Sequence, residues 1–430
     1  MATSSSSFPL RRGRSRADSE SPTASFGHPV VLLTTTIVAL LVVGIVMILS
    51  ASSVQSFASY GSSFVFFKKQ LVSVALGLVA FFLAYRLDYR RLKGFGYLLL
   101  PVVALLLFVV LLPGLGVTVG GSQRWIPLGF TDFQPSELAK FALILFAADV
   151  FARKEESTFL EFSHTAIPML PAIGILAGAI MMQPDLGTAI LLSFIAIGML
   201  FVAGAPLRHI IPIGFLGAGL AVMAGLAAPY RRERIMAFMD PWKDPLESGY
   251  HAIQSMIALG SGGIFGVGLG ASRQKWSYIP NAHTDFIYAI IGEELGLVGT
   301  FGVLGLFLFL AFMGIRTAVR APDRFGMLIA SGITIWISLQ ALVNMGAVTS
   351  SLPITGVPLP LVSFGGTSLV VSLAAMGVLL NIAKQGEDGP TPRHRRKRRN
   401  AGPARRDRRN GAGPARRDRR NGRTKPAAAR

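Results

Sequence analysis

Ten apolar stretches, each close to the ~20 residues that a helix needs to cross a bilayer, constrain this chain more than any other feature. They lie at residues 29–51, 64–85, 95–113, 136–153, 165–183, 185–204, 207–228, 285–315, 325–347 and 363–385. Hydrophobic residues make up 51% of the 430 positions, and charged residues only 15%. The pattern predicts an all-α polytopic membrane protein with ten transmembrane helices.

The composition divides the chain into three parts. Residues 1–28 are rich in Ser and Arg and lack apolar periodicity, which predicts a disordered cytoplasmic arm. Residues 29–386 form the membrane domain. Residues 387–430 are polar and basic, which predicts a second disordered cytoplasmic segment.

The basic tail carries most of the net charge of +20, because residues 391–430 contain 17 Lys or Arg and only two Asp. An 11-residue sequence at 401–411 is repeated without change at 412–422. We expect the tail to be attracted to anionic lipid head groups, at about 1 kcal/mol per cation. It has no aromatic residues on which bases could stack, so nucleic acid is not an expected partner.

The distribution of cations predicts the orientation. Lys and Arg occupy alternate short loops, at Arg86, Arg90, Arg91, Lys93, Arg153, Lys154, Arg208, Arg316, Arg320 and Arg324. The positive-inside rule then places both termini in the cytoplasm, in agreement with an even number of spans. The long loop between spans seven and eight, about 229–284, is extracytoplasmic. Its Arg231, Arg232 and Arg234 are candidates to meet an anionic substrate.

The segment that joins this loop to span eight concentrates ionisable residues at a membrane boundary. His283, Thr284 and Asp285 lie at its centre, and Glu293 and Glu294 follow two helical turns later. An ionised group at membrane depth costs roughly 2.5–3.5 kcal/mol on insertion scales, so such groups mark a functional site by default. The alternative is that Asp285 only caps the helix, where a carboxylate bonds free N–H groups.

Span four opens with Glu137 and Lys140, which share one helix face. Their spacing predicts either a neutralising pair at a helix entrance or a cation that faces a cavity and holds a phosphate. Asp185 follows Pro184, and the simplest expectation is that it caps span six.

Two further outer loops are rich in turn residues. Residues 114–135 carry one cation, Arg124, beside an aromatic residue. Residues 348–366 carry no charge, so this helix-broken segment could dip into the outer leaflet where protein surrounds it. The N–H groups of Gly365, Gly366 and Thr367 could receive a phosphate at the start of the last span, although capping is the simpler account.

Several chemistries are excluded or disfavoured. The chain has no Cys, which excludes disulfides and thiolate catalysis. The Gly-rich run at 260–270 lacks a preceding strand and a Lys-Ser/Thr pair, so it is not expected to bind nucleotide. No His, Asp or Glu spacing resembles a closed zinc site, although Mg²⁺ or Mn²⁺ held by one or two carboxylates and a pyrophosphate would leave no sequence signal.

With these residues in hand, the chain resembles the SEDS family (shape, elongation, division and sporulation). The matching stretches are Gln123-Arg-Trp-Ile, Gln134-Pro-Ser-Glu-Leu-Ala-Lys140, Gln183-Pro-Asp-Leu-Gly-Thr188, Arg232-Glu-Arg-Ile, Pro280 to Gly296, and Leu359-Pro-Leu-Val-Ser-Phe-Gly-Gly-Thr-Ser368. Together they extend over about residues 29–386, and it is their combination that is specific. The similarity is greater to the members that act in division than to those that act in elongation.

The resemblance implies a peptidoglycan glycosyltransferase that polymerises lipid II outside the cytoplasmic membrane, at the division septum. It implies a class B penicillin-binding protein and other division proteins as partners. The family's catalytic Asp falls on Asp285, and its cavity residues fall on Glu137, Lys140 and Asp185. The expected substrate-binding residues are Lys140, Glu137, Asp185, Arg231, Arg232, Arg234, His283, Thr284, Arg124, Ser363, Gly365, Gly366 and Thr367.

The sequence departs from the family pattern at three positions. Asn281 stands where Glu is common, and Ser277 stands where some members carry Glu. These changes weaken any role for an auxiliary carboxylate upstream of Asp285. Phe364 replaces a frequent Tyr, which removes a hydroxyl and keeps the ring.

The residues also leave other functions open. A ten-span protein with broken segments could flip lipid II rather than polymerise it, and Asp149 is the best candidate for an intramembrane charge on such a path. A division scaffold that acts only through its tail and partner contacts is a third possibility. For polymerisation, we expect Asp285 to act as general base and Lys140, followed by the loop arginines, to offset the charge of the leaving pyrophosphate.

Overall fold

The computed structural model describes residues 28–119, 121–129, 132–154, 161–276, 279 and 282–388, and it is mostly helical. The helices are α1 Pro29–Tyr60, α2 Val65–Arg86, α3 Phe95–Val109, α4 Pro135–Ala152, α5 Phe162–Met182, α6 Leu186–Ala203, α7 Leu207–Ala227, α8 Pro229–Met239, α9 Tyr250–Ser261, α10 Ile287–Arg320, α11 Arg324–Val348 and α12 Gly366–Asp388. Strands β1 Val117–Val119, β2 Ser122–Pro127 and β3 Asp132–Phe133 form an antiparallel sheet in the order β1-β2-β3.

In the part of the chain that the structure describes, seven helices are long and apolar enough to cross a membrane: α1, α2, α6, α7, α10, α11 and α12. Helix α3 and residues Ile167–Met182 of α5 are apolar but shorter. Helix α4 carries Glu137, Lys140 and Asp149, which lower its hydropathy. The prediction of a polytopic helical membrane protein is confirmed, and the count of ten spans stays a prediction.

The predicted outer loop between the seventh and eighth stretches contains two helices of its own, α8 and α9. Helix α8 carries Arg231, Arg232 and Arg234, and α9 packs against both α10 and α11. The predicted arm 1–28, apart from His28, and the basic tail from residue 389 lie outside the described residues.

The packed centre of the molecule is formed by α4, α6, α11 and α12. Helix α4 contacts α6 and α11, and α11 contacts α6 and α12. Lys140 of α4 and Trp336 of α11 are among the largest fully buried side chains. A charged side chain therefore lies inside the core, where it must be paired.

Helix α10 is interrupted at Gly296, whose φ of 67° and ψ of −160° are not helical. The Gly-rich run after α9 fills the break. Val267 N–H donates to Glu293 O at 2.9 Å, and Leu297 N–H donates to Gly263 O at 3.0 Å. The Gly-rich run therefore forms hydrogen bonds with backbone N–H and C=O groups that have no partner within the interrupted helix.

Glu293 and Glu294, just before the break, hold the same loop. The Glu293 carboxylate accepts the hydroxyl of Ser272. Glu294 Oε1 accepts the hydroxyl of Ser50 in α1 at 2.6 Å and lies 3.6 Å from Lys275 Nζ. The two carboxylates therefore join the outer loop to the start of α10, and Glu294 also bonds the neighbouring helix α1.

We predict that Gly296→Ala destabilises the protein by about 1–3 kcal/mol. The positive φ is unfavourable for alanine, and its Cβ would lie 2.4 Å from Gly266 N and Ile264 O. Gly302→Ala in the same helix is the control. Its Cβ meets no atom within 4 Å, so it should change stability by less than about 1 kcal/mol, in the stabilising direction. Thermal unfolding in detergent measures both variants, and equal midpoints would contradict the role given to Gly296.

Candidate active site

Asp285 lies two residues before α10, and the segment that carries it is fixed through its backbone. The Asn344 side-chain amide of α11 donates to Asp285 O at 2.8 Å and to Val357 O at 2.9 Å. Ser363 Oγ donates to Thr284 O at 2.6 Å, and Phe364 N–H donates to His283 O at 2.9 Å. These four bonds, the backbone clamp, join residues 283–285 to α11 and to the segment between α11 and α12.

The Asp285 side chain does not cap the helix. The N-cap position of α10 belongs to Phe286, and no side chain bonds the first turn there. Among the described residues, the Asp285 carboxyl has no hydrogen-bond or ion-pair partner. Gly356 lies opposite it, and a Cβ at that position would be 3.6 Å from Asp285 Oδ2. The capping alternative is therefore wrong for Asp285, whose carboxyl remains available for a ligand.

A cavity of about 320 Å³ opens in front of this carboxyl. Its lining includes Asp285, Glu233 and Arg234 of α8, and His251 of α9. Desolvation by burial raises the pKa of Asp285 to about 6, with Asp185 acting in the same direction and Arg124 and Arg234 opposing it. At neutral pH the carboxyl is then mostly ionised, yet more basic than an exposed aspartate.

Arg124 and Asp185 form an ion pair beside this region. Arg124 Nη1 lies 3.0 Å from Asp185 Oδ2. Asp185 also caps α6, because its Oδ1 accepts Thr188 N–H at 3.1 Å. The predicted cap is confirmed, and the pair ties strand β2 to the start of α6.

Lys140 and Glu137 form the ion pair that their spacing predicts, with Lys140 Nζ 2.8 Å from Glu137 Oε1. Both side chains are buried, Lys140 completely. Lys140 Nζ also donates to Gln340 Oε1 at 2.7 Å, and the Gln340 amide donates to Pro358 O at 3.0 Å. Lys140 does not line the Asp285 cavity. It contacts Gln340, which in turn bonds the segment between α11 and α12 at Pro358.

The helical turn of α8 points its three arginines, Arg231, Arg232 and Arg234, in different directions. Arg234 lines the Asp285 cavity. Arg232 lines a second cavity of about 530 Å³, together with Lys243 and Asp244. Arg231 Nη1 donates to Ala224 O at 3.0 Å, at the end of α7. Among the three, Arg234 is therefore the one placed next to Asp285.

His283 and Thr284 are placed differently from Asp285. The His283 ring packs against Phe66 of α2 and Phe364, with centroid distances of 4.8 and 5.3 Å. Burial lowers the pKa of His283 to about 4, so the ring is neutral. This environment favours a packing role for the ring, and substrate binding by His283 and Thr284 stays a prediction.

The hydroxyl and glycine residues before α12 bond within the chain. Ser363 Oγ accepts Leu359 N–H at 2.8 Å in addition to its bond to Thr284. Thr367 Oγ1 donates to Asp132 O at 2.8 Å and accepts Gln134 N–H at 3.1 Å. Gly366 begins α12, and the preceding Gly365 accepts Leu369 N–H through its carbonyl. Phosphate binding at this helix start stays a prediction.

His251 could not be predicted as a member of this cavity from the sequence, because α9 lies in the middle of a loop and is brought to α10 by tertiary packing. No group of three or more His, Asp or Glu with metal-site geometry occurs in the described ranges. Asp285 and Glu233 supply oxygen ligands of the kind that Mg²⁺ accepts beside phosphates, so a divalent cation stays a prediction.

The fold and this site define a polytopic membrane protein with an available carboxylate at the start of a helix, in a cavity that also holds charged side chains. A family model described as "Cell cycle protein", covering FtsW, RodA and SpoVE, matches residues 31–388. The chain therefore belongs to the SEDS family.

Two relatives illustrate the similarity. Stage V sporulation protein E of Bacillus subtilis (strain 168) is 42% identical over 359 residues, which are 83% of this chain and 97% of that protein. A protein of Thioalkalivibrio sulfidiphilus named "Probable peptidoglycan glycosyltransferase FtsW" is 43% identical over 366 residues, which are 83% of this chain and 90% of that protein.

Solved structures share the fold. One described as "Structural coordination of polymerization and crosslinking by a peptidoglycan synthase complex" matches with a TM-score of 0.67 and 31% identity, over 83% of this chain and 98% of that chain. The rod shape determining protein RodA of Thermus thermophilus matches with a TM-score of 0.60 and 29% identity, over 82% and 96%.

We predict that Lys140→Met lowers the free energy of unfolding by about 3–5 kcal/mol, because it leaves the buried Glu137 carboxylate unpaired. Adding Glu137→Gln should recover most of the loss, since the neutral amide needs no counter-ion. Thermal unfolding in detergent compares the two. If the double variant is no more stable than Lys140→Met, the ion pair is not what holds α4 in place.

Proposed function

We propose that the protein polymerises lipid II into glycan strands at the division septum, with Asp285 as general base. Curated relatives at about 40% identity are named peptidoglycan glycosyltransferase, and the chain is an enzyme of that class. The observation that carries the specific proposal is the Asp285 carboxyl, which lines a cavity beside Arg234 and has no hydrogen-bond partner among the described residues.

The reaction joins two lipid-linked saccharides. The Asp285 carboxylate accepts the proton of the acceptor's 4-hydroxyl while that oxygen attacks C1 of the donor sugar. The new C–O bond forms on the face opposite the pyrophosphate, the bond from C1 to the pyrophosphate oxygen breaks, and the anomeric configuration inverts. Undecaprenyl pyrophosphate leaves with the bonding electron pair, and the proton passes from Asp285 to water.

The negative charge that develops on the pyrophosphate needs a cation nearby. Arg234 is the best-placed of the loop cations, because it lines the Asp285 cavity and is close enough to lower the pKa of that carboxyl. Arg124 is already paired with Asp185, and Lys140 with Glu137. We therefore assign Arg234 to the leaving group, with or without Mg²⁺ or Mn²⁺, and Lys140 to positioning.

Translocation of lipid II is supported less well. Asp149, the charge proposed for that path, accepts Gly94 N–H at 2.7 Å and lies 3.9 Å from Arg153. It therefore anchors the end of α4 to the connection between α2 and α3. This environment explains Asp149 without a transport path.

The proposed partner is a class B penicillin-binding protein, which would crosslink the strands as they form. The similarity to a chain of a complex described as coordinating polymerization and crosslinking supports this pairing. The same proposal includes cytoplasmic termini, contacts with other division proteins and lipid binding by the basic tail. The tail lies outside the described residues.

We predict that Asp285→Asn abolishes polymerisation of purified lipid II, with a loss of at least about 100-fold, because the amide cannot accept the proton. The assay uses the full chain with its cognate penicillin-binding protein and reads glycan strands on gels. Asp323→Asn is the matched control. Asp323 is not part of the cavity lining, and it caps α11 through Gly326 N–H, a bond that asparagine can also accept. Its ion pairs with Arg90 and Lys93 are partly exposed, so their loss should have a small effect. Equal product from wild type and Asp285→Asn would contradict the proposed base.

We predict that the polymerisation rate falls as pH drops through about 6, because protonation of Asp285 removes the base. Arg234 lowers the pKa of this carboxyl, so Arg234→Gln should move the fall to higher pH. Initial rates between pH 5 and 8 at saturating lipid II test both statements. A wild-type profile that stays flat across this range would exclude titration of Asp285 from the rate-limiting step.

A further inference from the structure

The cavity in front of Asp285 contains polar atoms that the chain leaves unpaired. His251 Nδ1 and Ser350 Oγ are both buried, and neither has a hydrogen-bond partner among the described residues. Both residues line this cavity. A buried polar atom without a partner costs about 1–3 kcal/mol, so two such atoms lining one cavity indicate a polar occupant.

The position of His251 is fixed by stacking. Its ring lies parallel to that of Phe286, with centroids 5.7 Å apart and planes 12° apart, and Tyr250 packs edge-on against it. Phe286 follows Asp285 directly in the chain. The imidazole is therefore held near the carboxyl by Phe286, the N-cap residue of α10.

The chemistry of the ring suits an uncharged ligand. Burial, with a further contribution from Arg234, lowers the pKa of His251 below its usual value of 6.5, so the imidazole is neutral at pH 7. A neutral imidazole offers one N–H donor and one lone pair. A sugar hydroxyl or acetamido group can use either of them.

We propose that His251 binds a sugar ring of the lipid-linked acceptor by a hydrogen bond and directs its hydroxyl toward Asp285. The ligand class is an N-acetylated hexose. This inference rests on the proposed polymerase function and adds a substrate-binding residue on α9, outside the stretches that carry the family resemblance. Ser350, at the end of α11, faces the same ligand from the opposite element.

The competing explanation is that His251 only packs against Phe286. Two substitutions separate these roles. His251→Phe keeps an aromatic ring for the stack and removes both nitrogens. His251→Gln removes the ring and keeps a donor and an acceptor.

The experiment measures lipid II polymerisation by the full chain with its penicillin-binding protein, for wild type and both variants. Binding predicts that His251→Phe raises KM by about tenfold, the equivalent of one lost hydrogen bond, while His251→Gln stays within about threefold of wild type. Packing alone predicts the reverse order, and that result would overturn the inference. If either variant fails to fold, His251→Asn and His251→Leu replace them: both lack the ring and are similar in size, so binding predicts a higher KM for the leucine variant, and equal KM values would overturn the inference.

A binding measurement separates this inference from the function on which it rests. In the Asp285→Asn background, which does not turn over, adding His251→Phe should weaken lipid II binding by about the same tenfold factor. An unchanged Kd would overturn the role of His251 even if polymerisation is confirmed. If wild type forms no glycan while a control polymerase does, the proposed function itself fails.

Discussion

The backbone clamp on residues 283–285 is the interaction on which the site depends. Asn344 donates to two carbonyls, and the Ser363 hydroxyl and the Phe364 N–H bond two more. Because the clamp uses only backbone oxygens, the Asp285 side chain is positioned without being occupied. Bonds of this kind are strong in a low-dielectric interior, and leaving one unmade there is costly. The segment before α10 is thereby held rigidly while its carboxylate stays available.

The clamp continues into the core through α11. Gln340 lies four residues before Asn344 and therefore on the same helix face. Its Oε1 accepts both Lys140 Nζ and Trp336 Nε1 at 2.7 Å, and its amide donates to Pro358 O. The buried cation of α4 is thus connected to the segment between α11 and α12 that holds Asp285. This connection accounts for a charged residue in the core without requiring that it touch the substrate.

Much of this architecture could be predicted from the sequence, and the reasons for success and failure are physical. The apolar stretches, the Glu137–Lys140 pair and the Asp185 cap depend on local spacing, so the sequence predicts them directly. The interruption at Gly296 was not predicted, because a single glycine in an apolar run is compatible with a continuous helix. The roles of Glu293 and His251 depend on where the outer loop folds back, which no local pattern encodes.

The most direct test of the central claim separates binding from chemistry at Asp285. Single-turnover rates and lipid II affinity would be measured for wild type and Asp285→Asn, each with the penicillin-binding protein present. The account predicts that affinity changes by less than about fivefold, whereas the rate of glycan bond formation falls by at least about 100-fold. A variant that loses affinity but keeps its single-turnover rate would make Asp285 a binding residue and place the base elsewhere.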